Sequence, residues 1–377
     1  MKVLIVGDFV PQNRCLTAIA KGDYLSQFED VVGIVQSADI SIVNLESPIV
    51  EGNPKPIDKT GPNLCCPKET AECIKNIGFD CVTLANNHFY DYGDAGVEST
   101  LRRCNEVGLI PIGGGHNIDE ASSTVYLERD NSSIAIVNVC EREWSIASKK
   151  HGGSAPLYTI GLYYSIQEAK RKADYIIVIV HGGIEMYQLP TPSMQDKYRF
   201  FVDAGADCVI NHHQHCFSGY EIYHGKPIVY GLGNFCFDRL KSDSDKWSQG
   251  YMAELTFVSS GISVRIIPYI QFGSAPKVSV RESTDSVFKD SLHELNNIIS
   301  NRTLLEDAFN RFCDEATERR LLALEPFRNK VICYLQRYGM IPRLVKREGR
   351  KSMLMRLRCD SNRETLTKVL ERYFKLD

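Results

Sequence analysis

Short runs of branched apolar residues, each breaking off into a cluster of amides, acids or histidines, recur along this chain. Residues 2–8 read as a strand of Val3, Leu4, Ile5 and Val6 that stops at Gly7-Asp8, and residues 40–43 end in Asn44-Leu45-Glu46-Ser47-Pro48. Residues 79–84 run into Asn86-Asn87-His88 and Asp91, residues 173–180 into His181, and residues 208–210 into Asn211-His212-His213-Gln214-His215. Runs this short and this apolar fit strands buried on both faces, and open α/β folds place their chemistry at the carboxyl ends of such strands. Helices are expected over 67–78, 93–107 and 192–204, with proline in a first turn and glycine as a stop. Residues 125–127 with 134–139, and 219–223 with 227–230, read as hairpin pairs, and the alternating runs 251–258 and 263–270 as strands that close a sheet.

Three smaller features carry less chemistry. Gly113-Gly114-Gly115 could cradle a phosphate through its backbone, but it lacks the lysine and hydroxyl of a phosphate loop, so a close backbone crossing is expected. Glu141-Arg142-Glu143 reads as a solvated turn, and His224 as a hairpin-turn residue.

After residue 282 strands cease and helical periodicity takes over, giving an expected division into a domain over 1–282 and a helical appendage over 283–377. Helices are expected over 286–299, 304–315, 319–338 and 363–374. Residues 341–358 interleave Arg343, Lys346, Arg347, Arg350, Lys351, Arg356 and Arg358 with Leu344, Val345, Met353, Leu354, Met355 and Leu357, against the single acid Glu348. Such a segment can lie on an anionic membrane surface, hold a polyanion or contact a partner protein, or pack on neighbouring helices by its apolar stripe.

Composition narrows the class. An apolar fraction of 43% and a charged fraction of 24% are those of a globular protein, and a net charge of −3 gives no global attraction to nucleic acid or membrane. The 13 cysteines are scattered without a Cys-x-x-Cys pair, as expected of reduced thiols. No stretch approaches the roughly 20 apolar residues of a membrane span. The expected address is the cytoplasm, with peripheral contact at the inner membrane face through the basic segment.

Set side by side, the strand ends offer Asp8, Glu46, Asn87, His181, His213 and His215. His213 and His215 are two apart and point to the same side of extended backbone. Carboxylate, amide and imidazole together suit one or two divalent ions such as manganese, iron or zinc, which hold a phosphoryl oxygen between them. His88 is then free to protonate a leaving oxygen, its neighbour Asn87 being the ligand. Glu185 is a second candidate for catalysis. Asn44, Asn86, Asp91, His212, Glu221 and Asn234 are candidates for substrate contact.

Gly7-Asp8, Asn44 to Pro48, Leu84 to His88 with Asp91-Tyr92-Gly93, His181 to Tyr187, Asn211 to His215, and Tyr230 to Phe235 with Asp238 follow one another in an order that resembles a known family. It is the CapA-type capsule (poly-γ-glutamate) biosynthesis proteins, which are similar to the calcineurin-like metallophosphoesterases. The resemblance covers about residues 1–275 and implies a four-layer αββα sandwich with a metal site at one rim. It implies Asp8 as the first metal aspartate, Glu46 as the bridging carboxylate, Asn87, His181, His213 and His215 as further ligands, and His88 as proton donor.

Three positions depart from the pattern. Val10 stands where metallophosphoesterases carry a second histidine, Glu46 replaces an aspartate, and Gly182 stands where tryptophan is frequent. One subsite is therefore short of a ligand unless Asn44, Glu185 or Glu221 supplies it, and one tight ion with a weaker second is expected. The functional expectation is a metal-dependent hydrolase acting on an anionic or phosphorylated polymer precursor. A non-catalytic assembly protein for an anionic polymer, and an amide hydrolase of poly-γ-glutamate, are the alternatives.

Overall fold

The computed structural model describes residues 1–59, 61–129, 131–259, 261–281, 285–323 and 329–342. In chain order the elements are β1 (Lys2–Phe9), α1 (Asn13–Lys21), α2 (Glu29–Gln36), β2 (Ile40–Leu45), α3 (Glu69–Ile77), β3 (Cys81–Thr83), α4 (Gly93–Glu106), β4 (Ile110–Ile112) and β5 (Gly114–Gly115). There follow α5 (Ile118–Ala121), β6 (Val125–Arg129), β7 (Ser132–Cys140), β8 (Gly153–Ser154), α6 (Thr159–Ala169), β9 (Tyr175–His181), α7 (Pro192–Ala204), β10 (Cys208–His212), β11 (Tyr220–Tyr223) and β12 (Lys226–Val229). The chain continues through β13 (Asn234–Cys236), β14 (Gln249–Val258), β15 (Gly261–Gln271), β16 (Val278–Val280), α8 (Ser286–Ser300), α9 (Arg302–Ala323) and α10 (Lys330–Arg337).

Two sheets carry the fold. The first has 8 strands in the order β16-β15-β14-β1-β2-β3-β4 with β13 beside β1, and the second has 6 in the order β11-β12-β10-β9-β7-β6. The strands that end in chemistry run parallel, β1 to β2 to β3 in one sheet and β7 to β9 to β10 in the other. Strand alternation explains the layering. Val3 and Ile5 of β1 join Ile177, Ile179 and Ile210 in a core between the sheets, while Leu4 and Val6 join Phe28, Ile74 and Leu101 under the helices α1 to α4. With α6 and α7 packed on the second sheet, the result is a four-layer αββα sandwich.

Chain geometry is tight where β1 meets the segment before β13. A Cβ on Gly7 would lie 1.9 Å from the Gly233 carbonyl oxygen, and Gly233 itself has φ 79°. Only glycine fits either place. The glycine triplet is likewise a packing device, since Gly114 and Gly115 pair with β8 and a Cβ on Gly113 would strike the Asn138 side chain. This is the close crossing expected, not a phosphate cradle.

The first compact unit runs from Met1 to Glu306, past residue 282, because α8 closes the open end of the inter-sheet core. Its Phe288 lies 5.1 Å from the Phe217 ring and 6.1 Å from that of Tyr251. The second unit is Asp307–Asp377. Of the helix expected over 319–338, the described parts fall in the end of α9 and in α10, residues 324–328 lying outside the described ones, and the side chain of Asn329 caps α10 by accepting from the Val331 N–H. The basic run over 343–358 and the helix expected over 363–374 lie outside the described residues. No helix among the described residues is long and apolar enough to cross a membrane. Cys65 and Cys313 are exposed, Cys333 is half-buried, and the other described cysteines are buried free thiols.

Candidate metal centre

Asp8 near the end of β1, Glu46 one residue beyond β2, His181 closing β9 and His212 closing β10 meet at one rim of the sandwich. Strand register brings them together, Asp8 standing opposite Asn44 and Asn234, and His212 opposite His181. The turn after β10 then swings His213 and His215 inward with φ 90° and φ 55°. Non-glycine residues pay for such conformations, and they concentrate at functional sites.

Four atoms converge on one side of Glu46. The His181 Nε2 lies 2.9 Å from Asn87 Oδ1, 3.1 Å from His213 Nδ1 and 3.3 Å from Glu46 Oε1. On the other side, His215 Nδ1 is 3.4 Å from Asp8 Oδ2 and its Nε2 is 3.8 Å from Glu46 Oε1. Glu46–His181–His213 and Asp8–Glu46–His215 thus form two possible ion-holding groups, each with ligand atoms within 4.8 Å of one another, and Glu46 belongs to both.

The chemistry of these groups fits divalent cations. Asp8 Oδ2 and both Glu46 oxygens are buried without a hydrogen-bond partner. Burial disfavours the Asp8 carboxylate, yet His212 and His215 beside it hold its pKa well below the usual range. Burial, reinforced by Asp8, Glu185 and Glu143, pushes Glu46 well above that range. Burial and the neighbouring His213 keep His181 well below the ordinary imidazole value, and burial together with His215 brings His213 down to about 4. At neutral pH the His181 and His213 imidazoles therefore offer lone pairs, and Glu46 needs a positive partner to stay ionised.

Other candidates take different places. His88 Nδ1 lies 2.7 Å from Asp91 Oδ2 and 3.2 Å from Lys59 Nζ, and Nε2 has no protein partner among the described residues. Asp91, a candidate for substrate contact, is buried, accepting from the Leu64 N–H at 2.7 Å and pairing with Lys59. Asn44 donates to Asp8 Oδ1 at 2.7 Å, and Asn86 ties the Leu45 carbonyl to the His88 N–H, so both are buried and support the residues around them. Asn234 also supports, its Oδ1 lying 2.9 Å from His215 Nδ1.

His212, expected to touch substrate, is buried with Nδ1 3.2 Å from Asp8 Oδ1 and neither ring nitrogen properly hydrogen-bonded. It lies beside Asp8 without belonging to either ion-holding group, and Val10 has turned into an apolar cluster with Leu64, Phe237 and Trp247. Glu221 does not belong to the site. It is a surface-sheet carboxylate gripped by Arg199 at 2.6 and 3.0 Å and by the Tyr230 hydroxyl. Glu185 is exposed and acts on Glu46 and His213 through its charge.

Sequence reasoning missed Lys59, Glu143 and Arg239. Glu143 Oε1 lies 3.9 Å from His213 Nε2 and Glu141 packs on Gly182, so the two acids of this triplet reach the site from a bend in which Arg142 and Glu143 are exposed. A larger residue than glycine at position 182 would strike the Glu141 side chain, 2.7 Å from the added Cβ.

Comparison with known proteins extends the picture. The family described as bacterial capsule synthesis protein PGA_cap matches residues 2–239. The chain belongs to that family. The capsule biosynthesis protein CapA of Bacillus anthracis is 31% identical over 225 residues, covering 58% of this chain and 54% of that protein. The PGA biosynthesis protein CapA of Bacillus subtilis is 31% identical over 219 residues, with 57% of each covered. The chain thus spans somewhat over half the length of these curated relatives. Among solved structures, a phosphatase from Mycoplasma pneumoniae overlaps with a TM-score of 0.46 at 17% identity, covering 72% of this chain and 93% of that one. A putative 5'-nucleotidase from Staphylococcus aureus overlaps with a TM-score of 0.43 at 16% identity, covering 81% and 58%.

Proposed function

We propose that this PGA_cap-family chain is a metal-dependent hydrolase that cleaves a phosphoester in an anionic precursor of a cell-surface polymer. The observation that carries this reading is Glu46, a buried carboxylate with two unpartnered oxygens shared by two ligand groups. Asp8, Glu46 and His215, with His212 beside them, would hold one ion, and Glu46, Asn87, His181 and His213 the other. Manganese, iron and zinc are the candidates by donor chemistry. When bound, such ions supply Lewis acidity and offset the charge that develops at phosphorus.

The chain's own residues supply the rest. His88 stands next to the ligand Asn87 with Nδ1 beside Asp91, and as the doubly protonated imidazolium it would keep its Nδ1 proton towards Asp91 and hand its Nε2 proton to the departing oxygen. Lys59 pairs with the other oxygen of Asp91 and so holds the carboxylate that orients the imidazole. That buried chain of contacts favours a proton donor over a merely structural metal site. The printed role of the Bacillus relatives, capsule and PGA biosynthesis, supports a polymer precursor as substrate.

The test is turnover of phosphomonoesters and phosphodiesters by manganese-loaded protein, wild type beside His88→Asn. The variant should keep its metal and lose about 10²- to 10⁴-fold in rate. Metal-loaded wild type that is inert across a broad ester panel contradicts the proposal.

A further inference from the structure

The rim of the centre carries an acidic rather than a basic fringe. Glu143 approaches His213, and Glu185 adds its charge to that of Glu46. The part of an anionic substrate that reaches past the ion-holding groups meets repulsion there unless a fixed cation offsets it. Arg239 is placed to be that cation. Its guanidinium carbon lies 3.5 Å from the centre of the Trp247 ring and 4.9 Å from that of Phe237. The same indole lies 4.8 Å from the His215 ring, and Phe237 meets that imidazole edge-on at 5.3 Å. Two aromatic rings therefore join the arginine to a residue of the metal centre.

The seat is rigid. Asp238 is clamped by Arg14 through two hydrogen bonds of 2.8 Å, and its Oδ1 accepts from the Leu240 N–H at 2.9 Å, bracketing Arg239. Trp247 is fixed by its own Nε1–H to the Phe237 carbonyl at 2.6 Å. Partial burial draws the guanidinium below its ordinary pKa, while Glu185 and Glu46 oppose that, so both acids act on it through space. Yet among the described residues no carboxylate lies within ion-pair distance of Arg239, whereas Arg14, Arg199, Arg265 and Arg302 each pair with one. A planar fork of N–H donors, exposed, stacked on an aromatic platform and left without a carboxylate partner among the described residues, matches a two-oxygen anion.

We propose that Arg239 anchors the substrate by gripping a carboxylate or phosphoryl group at the mouth of the centre. The assignment rests on the reading of this site as one that takes an anionic polymer precursor.

The experiment is calorimetric titration of the manganese-loaded full chain with inorganic phosphate and, separately, with glutarate. Wild type is compared with Arg239→Lys and Arg239→Met, the latter retaining apolar bulk over Trp247. Arg239→Met should bind at least one anion about 10-fold more weakly or worse, with metal content and melting temperature unchanged. Arg239→Lys should fall between, because a single ammonium cannot reproduce the fork. Selective loss of phosphate binding assigns a phosphoryl partner, and selective loss of glutarate binding a carboxylate. Arg239→Met binding both anions as tightly as wild type overturns the proposal, as does wild type that binds neither. If wild type hydrolyses no ester but the variant still loses anion affinity, the hydrolytic reading falls and this assignment stands. If esters turn over with unchanged KM in the variant, the reverse holds.

Discussion

Lys59 and Asp91 form an ion pair that water barely reaches, their side chains being 3% and 0% exposed. Replacing Asp91 with asparagine preserves shape and leaves an acceptor for the Leu64 N–H, but strands the Lys59 ammonium in a buried place. An uncompensated buried charge of this kind costs about 3–5 kcal/mol. For a compact unit ending at Glu306, roughly 2 °C per kcal/mol is the expected scale, so the melting temperature should fall by about 6–10 °C. Lys59→Met is milder, because Asp91 keeps the Leu64 N–H and the His88 ring as donors, and should cost about 1–2 kcal/mol. The double variant removes both charges and should be more stable than the two single losses added together, with a coupling of about 2 kcal/mol. Thermal and urea unfolding of metal-free protein, to keep ion binding out of the comparison, measures all four forms. Asp91→Asn melting within a degree of wild type, or strict additivity in the cycle, would refute the reasoning.

Two further outcomes follow from the centre itself. His213 binds fewer protons folded, with a pKa of about 4, than unfolded, with about 6.5, so its contribution is present above the unfolded value and is lost as pH falls towards the folded one. Because Glu46 titrates in the opposite sense, the readout is wild type against His213→Asn without metal. The stability difference between the two should shift by up to about 3 kcal/mol in favour of the variant between pH 7 and pH 4, and a flat difference contradicts the geometry. His212→Ala should weaken the occupancy of the Asp8 group about 10- to 100-fold, as loss of a contact that orients a ligand does, while sparing the group built on His181. Equilibrium dialysis with manganese reads both occupancies, and unchanged binding removes His212 from the centre.

What the sequence disclosed and what it hid follow from the range of the forces involved. Runs such as Val3 to Val6 and Ile176 to Val180 are readable because a strand buried on both faces has no polar positions to confuse the pattern. Helix α7 was legible from Pro192 at its first turn, behind the Thr191 side chain that accepts from the Met194 N–H. Helices α1 and α6 gave no such sign, since neither Gln12 nor Tyr158 caps through its side chain.

Within the site the same division holds. Asp8, Glu46, Asn87, His181, His213 and His215 announce themselves at or just beyond strand ends. The ending of β7 in Cys140-Glu141 carried an equal signal that points to Glu141 and Glu143. Lys59 and Arg239 come from irregular segments, and their roles arise from contacts with Asp91, 32 positions away, and with Trp247 across a loop. No local pattern encodes such partners. Glu221 misled for the mirror reason, its partner Arg199 lying 22 positions upstream on a helix.

Glu46 is the one carboxylate common to both ion-holding groups and is proposed to serve two ions at once. Elemental analysis of purified, manganese-loaded protein, wild type beside Glu46→Gln, tests that directly. Wild type should approach two ions per chain, the second weaker, and Glu46→Gln should lose affinity at both positions together. Wild type without any stoichiometric ion, or a Glu46→Gln variant that keeps both at unchanged affinity, would contradict it.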